Sequence, residues 1–458
     1  MVTPLRAHTS PSTFRYVGVA ESHKLLGFGL DGSGRWVLNK SSGYPAVVRR
    51  EFNLVTLRSG ACAWSWWRTI PRESVRSCTY GLDAAVAQGM AFRFHALLWS
   101  RSDFKVDMLR SLGSKEHRRQ VLTEHIREVI GALGHRPAFY NVINEFVCDI
   151  DASRPKCTLP PPSAPPLPIN DLEEQETHTN GSKKCGWGPV FKWTKNAIGT
   201  LVVDNGADKL GCFYSTFYRT FMKTSPWADG GADDLEDWID VAFNVTRAEL
   251  DKQKSTPDRT VARLCANDYQ FESNGPSSTT RGKSDRVYAV MSGLVERGVP
   301  VDCIGFQGHL SVAHASGVGN FAGWGDGVRS NMRRYERLGL EIHWTEFEAK
   351  CQINHHTQHI CIHNDASERD RTQAVVYEDH ASLCAESAAC TTFQFWGLTD
   401  ADTFCDGSDQ TICAGNPFMF EGGETEPLRP KPAYWAVHRV LSRTPLDRSA
   451  ARTPVIEP

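Results

Sequence analysis

Polar and apolar positions along this chain switch between two periods. Short runs rich in β-branched and aromatic residues, the pattern of strands buried on both faces, alternate with longer stretches whose apolar residues recur every three or four positions, the pattern of helices with one buried side. The strand-like runs are RYVGVA from Arg15, EFNLVT from Glu51, FRFHALLW from Phe92, AFYNVIN from Ala138, ARLCAND from Ala262, DCIGFQGHL from Asp302, EIHWTEFE from Glu341 and TTFQFWGLTD from Thr391. Helical patterns between them span Lys115 to Leu133, Asp233 to Lys252, Asp285 to Arg297, Gly327 to Leu338 and Asp370 to Ser387. Strand then helix, repeated, implies parallel neighbours, because two parallel strands need a crossover between them. The predicted fold is therefore α/β, a (β/α)8 TIM barrel over residues 15–443, with a short N-terminal segment (1–14) and a C-terminal tail (444–458). One barrel explains this order better than three separate domains.

The pattern breaks between residues 148 and 212, where LPPPSAPPLPIN, the acidic DLEEQE and a Gly- and Lys-containing stretch show little core-forming periodicity. This reads as a long insertion after the fourth strand, its proline run extended and stiff. A solvated decoration is the plainer expectation, and a rim or lid role stays open because the insertion follows a strand end.

Composition then narrows the class of partner. With 40% hydrophobic and 10% aromatic residues among 458, the chain can bury a full core. Lys plus Arg number 51 and Asp plus Glu 53, for a net charge of −2, so no broad basic field invites nucleic acid or an anionic membrane. No run approaches the roughly 18 apolar residues of a spanning helix, and MVTPLRAHTSPSTFRY lacks the apolar core of a signal peptide. The 14 cysteines include the close pairs Cys351/Cys361, Cys384/Cys390 and Cys405/Cys413, which read as disulfides of an oxidising compartment; glycosylation sequons at Asn39, Asn180 and Asn244 point the same way. The expectation is a secreted monomer without its signal peptide in this chain.

Candidate chemistry gathers where strand runs end, since a barrel of this kind builds its site from the loops at that face. Glu145 ends YNVINEF and Glu346 stands near the end of EIHWTEFE, so both carboxylates should project at the barrel mouth. Two facing carboxylates are the requirement of glycoside hydrolysis: about 5 to 5.5 Å apart, one attacks the anomeric carbon while the other protonates the leaving oxygen, whereas about 6.5 to 9.5 Å leaves room for a water and inverts the product. There is no GxSxG elbow, GxxxxGK[ST] loop or HExxH helix. The cluster INHHTQHICIHN carries His355, His356, His359 and His363, but it lies around Cys361 and reads as a disulfide-closed loop rather than a metal site.

Taken in order, these motifs resemble glycoside hydrolase family 10, the endo-β-1,4-xylanases. FHALLW is similar to the family's HTLVW, YNVINEF to WDVVNEA, ANDY to NDY, IGFQGHL to GIGFQSHL, HWTEFE to ITELD, FWGLTDADTF to WGVTDxxSW and KPAY to QPKPAY. The resemblance implies a retaining double displacement on a β-1,4-linked plant- or algal-type polysaccharide, xylan first, with no cofactor and no metal. Glu145 would be the acid/base and Glu346 the nucleophile. Asn144 would bond the sugar 2-OH, His309 would orient the nucleophile, and Gln307 and His95 would line the sugar site. Trp99, Tyr269, Trp396 and Phe404 would stack against sugar faces; Trp64, Trp66 and Trp67 read as core. Departures fall on the sugar-holding residues: LRSGACAWSWW from Leu57 stands where the family has ENEMKW, Ser100 replaces a histidine, Phe404 a tryptophan, Tyr140 and Asn141 a Trp-Asp pair, and Glu348 an aspartate. Two alternatives therefore stay open, a hydrolase of the same mechanism acting on another β-glycan and a non-catalytic carbohydrate-binding barrel.

Overall fold

A computed structural model describes residues 3–9, 15–21, 28–30, 36–38, 43–58, 62, 73–99, 114–147, 193–195, 201–203, 232–253, 261–275, 281–315, 323–350, 365–402, 415–423 and 426–443. Phe404, Ser100, Trp64, Trp66, Trp67, the histidine cluster, the pairs Cys351/Cys361 and Cys405/Cys413, and the sequons at Asn39 and Asn180 lie outside them.

Each of the eight strand-like runs carries a barrel strand: β1 (Tyr16–Glu21), β2 (Leu54–Leu57), β3 (Ala91–Trp99), β4 (Phe139–Asn144), β5 (Arg263–Asp268), β6 (Cys303–Phe306), β7 (Glu341–Lys350) and β8 (Cys390–Phe395). They form one sheet in the order β6-β5-β4-β3-β2-β1-β8-β7, every pair parallel, and the pairing of β6 with β7 closes it into a barrel. Around it run α1 (Tyr44–Glu51), α2 (Glu73–Ala87), α3 (Lys115–Leu133), α4 (Ala232–Asp251), α5 (Arg281–Glu296), α6 (Trp324–Arg337), α7 (Ala366–Glu386) and α8 (Pro432–Ser442). Local chemistry sets the ends of several. Ser114 accepts the His117 N–H and opens α3, and Asp365 accepts from Ser367 and Glu368 to open α7. α1 and α8 begin with proline in their first turn, where a missing N–H costs nothing.

Alternate residues divide the core in two. Outside the barrel, Trp344 and Phe347 of β7 pack on His380 and Tyr377 of α7 with ring centroids 5.3 and 5.0 Å apart. Each such buried aromatic contributes roughly 1.5 to 3 kcal/mol. Inside, Leu54, Phe139, Cys265 and Cys303 fill the end where the strands begin, with Tyr16 and Ala91 against them. The layers above are polar, holding Arg93, Asn141, His343, Asn267 and Gln394, all buried.

Three features differ from the sequence reading. Glu51 belongs to α1 rather than to the second strand, because its buried carboxylate takes the Leu5 N–H and the Tyr434 hydroxyl, each at 3.0 Å, tying the N-terminal turn and α8 to α1. β7 continues to Lys350, so Glu346 stands inside a strand rather than near its end. Within the 148–212 stretch, Trp193–Lys195 and Leu201–Val203 pair antiparallel as a short hairpin. Of the expected disulfides, Cys384–Cys390 joins α7 to β8; Cys62–Cys78 and Cys265–Cys303 were not anticipated, the latter linking directly opposed positions of β5 and β6.

Near the C-terminal helix, the buried Lys431 ammonium donates to Asp400 Oδ2 at 2.9 Å and to the Asn416 carbonyl at 2.8 Å. Lys431→Met would strand the Asp400 carboxylate, and urea unfolding should show a loss of about 3 to 5 kcal/mol. An unchanged midpoint would show that this pair does not hold the segments that follow β8.

Candidate active site

The chain turns sharply where β4 ends. Glu145 has φ 53°, left-handed for a residue with a side chain, and its N–H is held by the Asn267 carbonyl of β5 at 2.8 Å. Glu346 of β7 has its N–H on the Gln307 carbonyl at 2.9 Å, which sets it level with the residue just past β6. A network of amides joins the two carboxylates. Asn267 Nδ2 donates to Glu346 Oε1 and to Asn144 Oδ1, both at 2.7 Å, while its Oδ1 accepts the Thr345 hydroxyl. Gln307 Nε2 then reaches Asn144 Oδ1 at 3.3 Å and Glu145 Oε1 at 3.4 Å. Asn144, Asn267 and Gln307 are buried, which strengthens such bonds by excluding water.

Gly305 makes room for this network. It opposes Asn267 in the β5–β6 register, and a Cβ there would lie 2.2 Å from Asn267 Oδ1 and 2.8 Å from Thr345 Cγ2. Gly305→Ala should therefore cost about 1 to 3 kcal/mol in thermal unfolding through overpacking, and turnover should fall beyond what the stability loss explains, because the Asn267 amide must swing off Glu346. Unaltered turnover would show that Asn267 does not position that carboxylate.

Beyond Glu346, charges alternate along one side of β7. His309 Nε2 lies 3.1 Å from Glu346 Oε2 and its Nδ1 lies 2.7 Å from Glu348 Oε1, while Lys350 Nζ sits 2.8 Å from the same Glu348 oxygen. Carboxylates only accept, so both ring nitrogens of His309 must donate and the ring is an imidazolium. Burial alone would push its pKa down, but the charges of Glu348 and Glu346 outweigh that and raise it to about 10. Burial would likewise push Glu348 up, yet His309 and then Lys350 hold it near 2. His309 reaches this position because Gly308 turns with φ 76°, where a Cβ would meet the Trp344 ring at 2.9 Å, and because the Gly308 N–H donates to the buried Glu272 carboxylate at 3.0 Å.

Aromatic rings border the same space. Trp396 lies 5.4 Å from His95 and 6.2 Å from His309, and Trp99 5.9 Å from His95, so His95, Trp99, Trp396 and His309 are brought together. Arg58 Nη1 donates to the Trp396 carbonyl at 2.7 Å. Tyr269 directly follows β5, its ring 3.7 Å from Lys283 Nζ, which also pairs with Asp268 at 2.9 Å. Asp268 in turn accepts the Val147 N–H, so Tyr269 and the loop after Glu145 are tied to one anchor. Phe404 lies outside the described residues.

Sequence reasoning missed Asn267, Lys350 and Arg93 as parts of the site, and took Asn141 and Glu348 only as replacements of family aspartates. Asn267 had a signal in standing beside Asp268 and Tyr269 in ANDY; Glu346, Glu348 and Lys350 had one in their two-residue spacing on a strand. Cys265, Cys303 and His343 form a tight group of metal-ligating type, but the two sulfurs are bonded to each other and His343 Nδ1 accepts from Arg93, so the trio offers no open ligand set.

Comparison with known proteins places this geometry. Endo-1,4-beta-xylanase B of Thermotoga neapolitana is 23% identical over 421 residues, covering 91% of this chain and 88% of its own. Endo-1,4-beta-xylanase B of Paenibacillus barcinonensis is 28% identical over 203 residues, which spans 44% of this chain and about half, 52%, of that relative. The crystal structure of xylanase 10B from Thermotoga petrophila RKU-1 in complex with xylobiose shares the fold, with a TM-score of 0.61 at 21% identity over 96% of this chain and 98% of that one. The sequence model of Glycosyl hydrolase family 10 matches residues 11–158 and 215–440, most of the chain on both sides of one gap. On that match, this chain belongs to glycosyl hydrolase family 10.

Proposed function

We propose that this family 10 enzyme is an endo-acting, retaining hydrolase of β-1,4-linked xylan. The observation that carries this reading is the Glu346 carboxylate held between the Asn267 amide and the His309 imidazolium, with the same amide network reaching Glu145. In the first step Glu346 attacks the anomeric carbon while Glu145 gives its proton to the departing glycosidic oxygen. In the second, Glu145 takes a proton from water, the water oxygen attacks the same carbon, and Glu346 leaves, so two inversions give net retention. Asn144 Nδ2 is buried and has no partner among the described residues, a donor that a sugar 2-OH would satisfy. Trp99, Trp396 and Tyr269 offer flat faces for sugar C–H surfaces. The reaction needs neither metal nor cofactor. Three disulfides among the described residues, with an exposed Asn244 sequon on α4, support an enzyme working outside the cell; among the described residues no helix is long and apolar enough to cross a membrane.

One observation favours a second reading, the same mechanism on a different β-glycan. The segment from Leu57 lacks the polar residues that the family places there, and its own Arg58 is engaged with the Trp396 carbonyl. Loss of placed polar contacts changes sugar discrimination strongly.

Reducing-sugar release from xylans, mixed-linkage glucan, cellulose and mannan, with Glu145→Gln and Glu346→Gln beside the wild type, separates these readings. Release from xylan that both variants lose, with the β-anomer formed first, is the expected result. The same pattern on another glycan selects the second reading; binding without release by the wild type would leave a carbohydrate-binding barrel.

A further inference from the structure

A column of directed hydrogen bonds rises through the barrel from the start of β7 to the sugar side of the site. His343 Nδ1 meets Arg93 Nη2 at 2.7 Å, and Arg93 Nη1 donates to Asn141 Oδ1 at 3.0 Å. Asn141 Nδ2 lies 2.8 Å from His95 Nδ1. A guanidinium can only donate, and that fixes every direction. His343 Nδ1 accepts, leaving its Nε2–H for Glu341 Oε2 and Thr391 Oγ1, 3.3 and 3.1 Å away. The Asn141 oxygen must face Arg93, so its NH2 faces His95, and a ring nitrogen that accepts carries no proton.

We propose that Asn141 is a positioning residue which holds His95 as a neutral imidazole with its proton on Nε2, so that the sugar beside Trp99 and Trp396 meets a hydrogen-bond donor and not a cation. The proposal rests on the reading of this site as a sugar site and goes beyond it by assigning the form in which His95 binds. A charged ring would turn an N–H against the Asn141 NH2 and lose that bond. The surroundings agree in sign: burial, Arg93 and His309 disfavour the charged ring, while Glu346 and Glu145 favour it, and the balance lies below the ordinary histidine value. An aspartate at 141, the residue that the family pattern carries, could only accept, and the ring would have to turn a proton toward it. The substitution thus changes which ring nitrogen is protonated without touching the catalytic carboxylates.

The test is two-bond ¹H–¹⁵N correlation of the imidazoles in ¹⁵N-histidine-labelled enzyme, with His95 identified by the signal that His95→Gln removes. The wild type should show an unprotonated Nδ1 and a protonated Nε2 from about pH 5 to pH 8, the range in which an ordinary histidine titrates. In Asn141→Asp, Nδ1 should become protonated, and KM should acquire a pH dependence across that range that the wild type lacks while kcat changes less. A protonated Nδ1 in the wild type, or a His95 that titrates there, would overturn the proposal, as would an unchanged ring in Asn141→Asp. Should that variant not fold, the wild-type spectrum decides alone. The spectrum needs no substrate, so an enzyme inactive on every glycan would sink the functional reading and leave this result standing.

Discussion

Glu346→Ala should lower turnover on polymer by at least about 10⁴-fold, because the covalent step loses its nucleophile and what remains is binding and charge stabilisation alone. Glu145→Ala should lose less, about 10² to 10⁴-fold as for a general acid, and least of all on aryl glycosides whose leaving group departs without a proton. Azide distinguishes the two roles. It is a small anion that needs no deprotonation, so in Glu145→Ala it can attack the glycosyl-enzyme in place of water and give the β-glycosyl azide. In Glu346→Ala it can occupy the space of the lost carboxylate and attack an activated β-glycosyl donor directly, giving the α-azide. The buried amides around Glu346 and the half-buried setting of Glu145 make this the expected assignment, with Glu346 clamped by the Asn267 amide and His309 while the Gln307 amide approaches Glu145 at 3.4 Å. Reversed azide anomers would exchange the roles; an α-anomer as first product of the wild type would end the double displacement.

His309→Gln should cost both rate and pH-dependent stability. An amide can donate to Glu346 but brings no positive charge, and Glu348 keeps Lys350 but loses the imidazolium, so turnover should fall by about 10²-fold, the scale of one lost transition-state contact of this kind. The sign of the stability effect follows from the two pKa values. His309 is raised from 6.5 to about 10, so its contribution is fully present below pH 6.5 and lost as pH climbs through 10. Glu348 is lowered from 4.5 to about 2, so its share is present above pH 4.5 and lost as pH falls through 2. Both describe one ion pair and are not added. The gap in unfolding free energy between wild type and variant should thus be widest between pH 4.5 and 6.5 and close toward either extreme. Since the imidazole is 31% exposed, its size should be about 2 kcal/mol rather than the larger cost of a sealed pair. A gap that is flat with pH would show that His309 is not charged in the folded enzyme.

The barrel was legible because its signals are local. Helix α3 was predicted over the span it occupies, since Ser114 caps it and apolar residues recur at helical spacing inside it. The eight strand runs were legible because strands covered on both sides carry dense β-branched and aromatic residues. α1, α2 and α8 were not predicted. The eight residues of α1 include adjacent valines that suit a strand equally, and what settles them is the buried Glu51 carboxylate, whose partners Leu5 and Tyr434 lie 46 and 383 positions away. Strand ends shifted for a similar reason: β7 runs on to Lys350 because His309–Ser311 returns to pair with it, which depends on the turn at Gly308.

What the sequence by itself determined is the alternation of elements, the family pattern and the residue types at strand ends, Glu145, Glu346, Asn144, Gln307, His309, His95, Trp99, Tyr269 and Trp396 among them. Tertiary structure alone decided which of these meet. Asn267 became the link between Glu346 and Asn144, Lys350 joined the His309 pair, Arg93 and Asn141 came to stand behind His95, and Cys265 found Cys303 across the β5–β6 register. The physical reason is that hydrophobic periodicity is written in neighbouring residues, whereas a hydrogen bond between adjacent barrel strands depends on register and closure, and the partners are then tens to hundreds of positions apart in the chain.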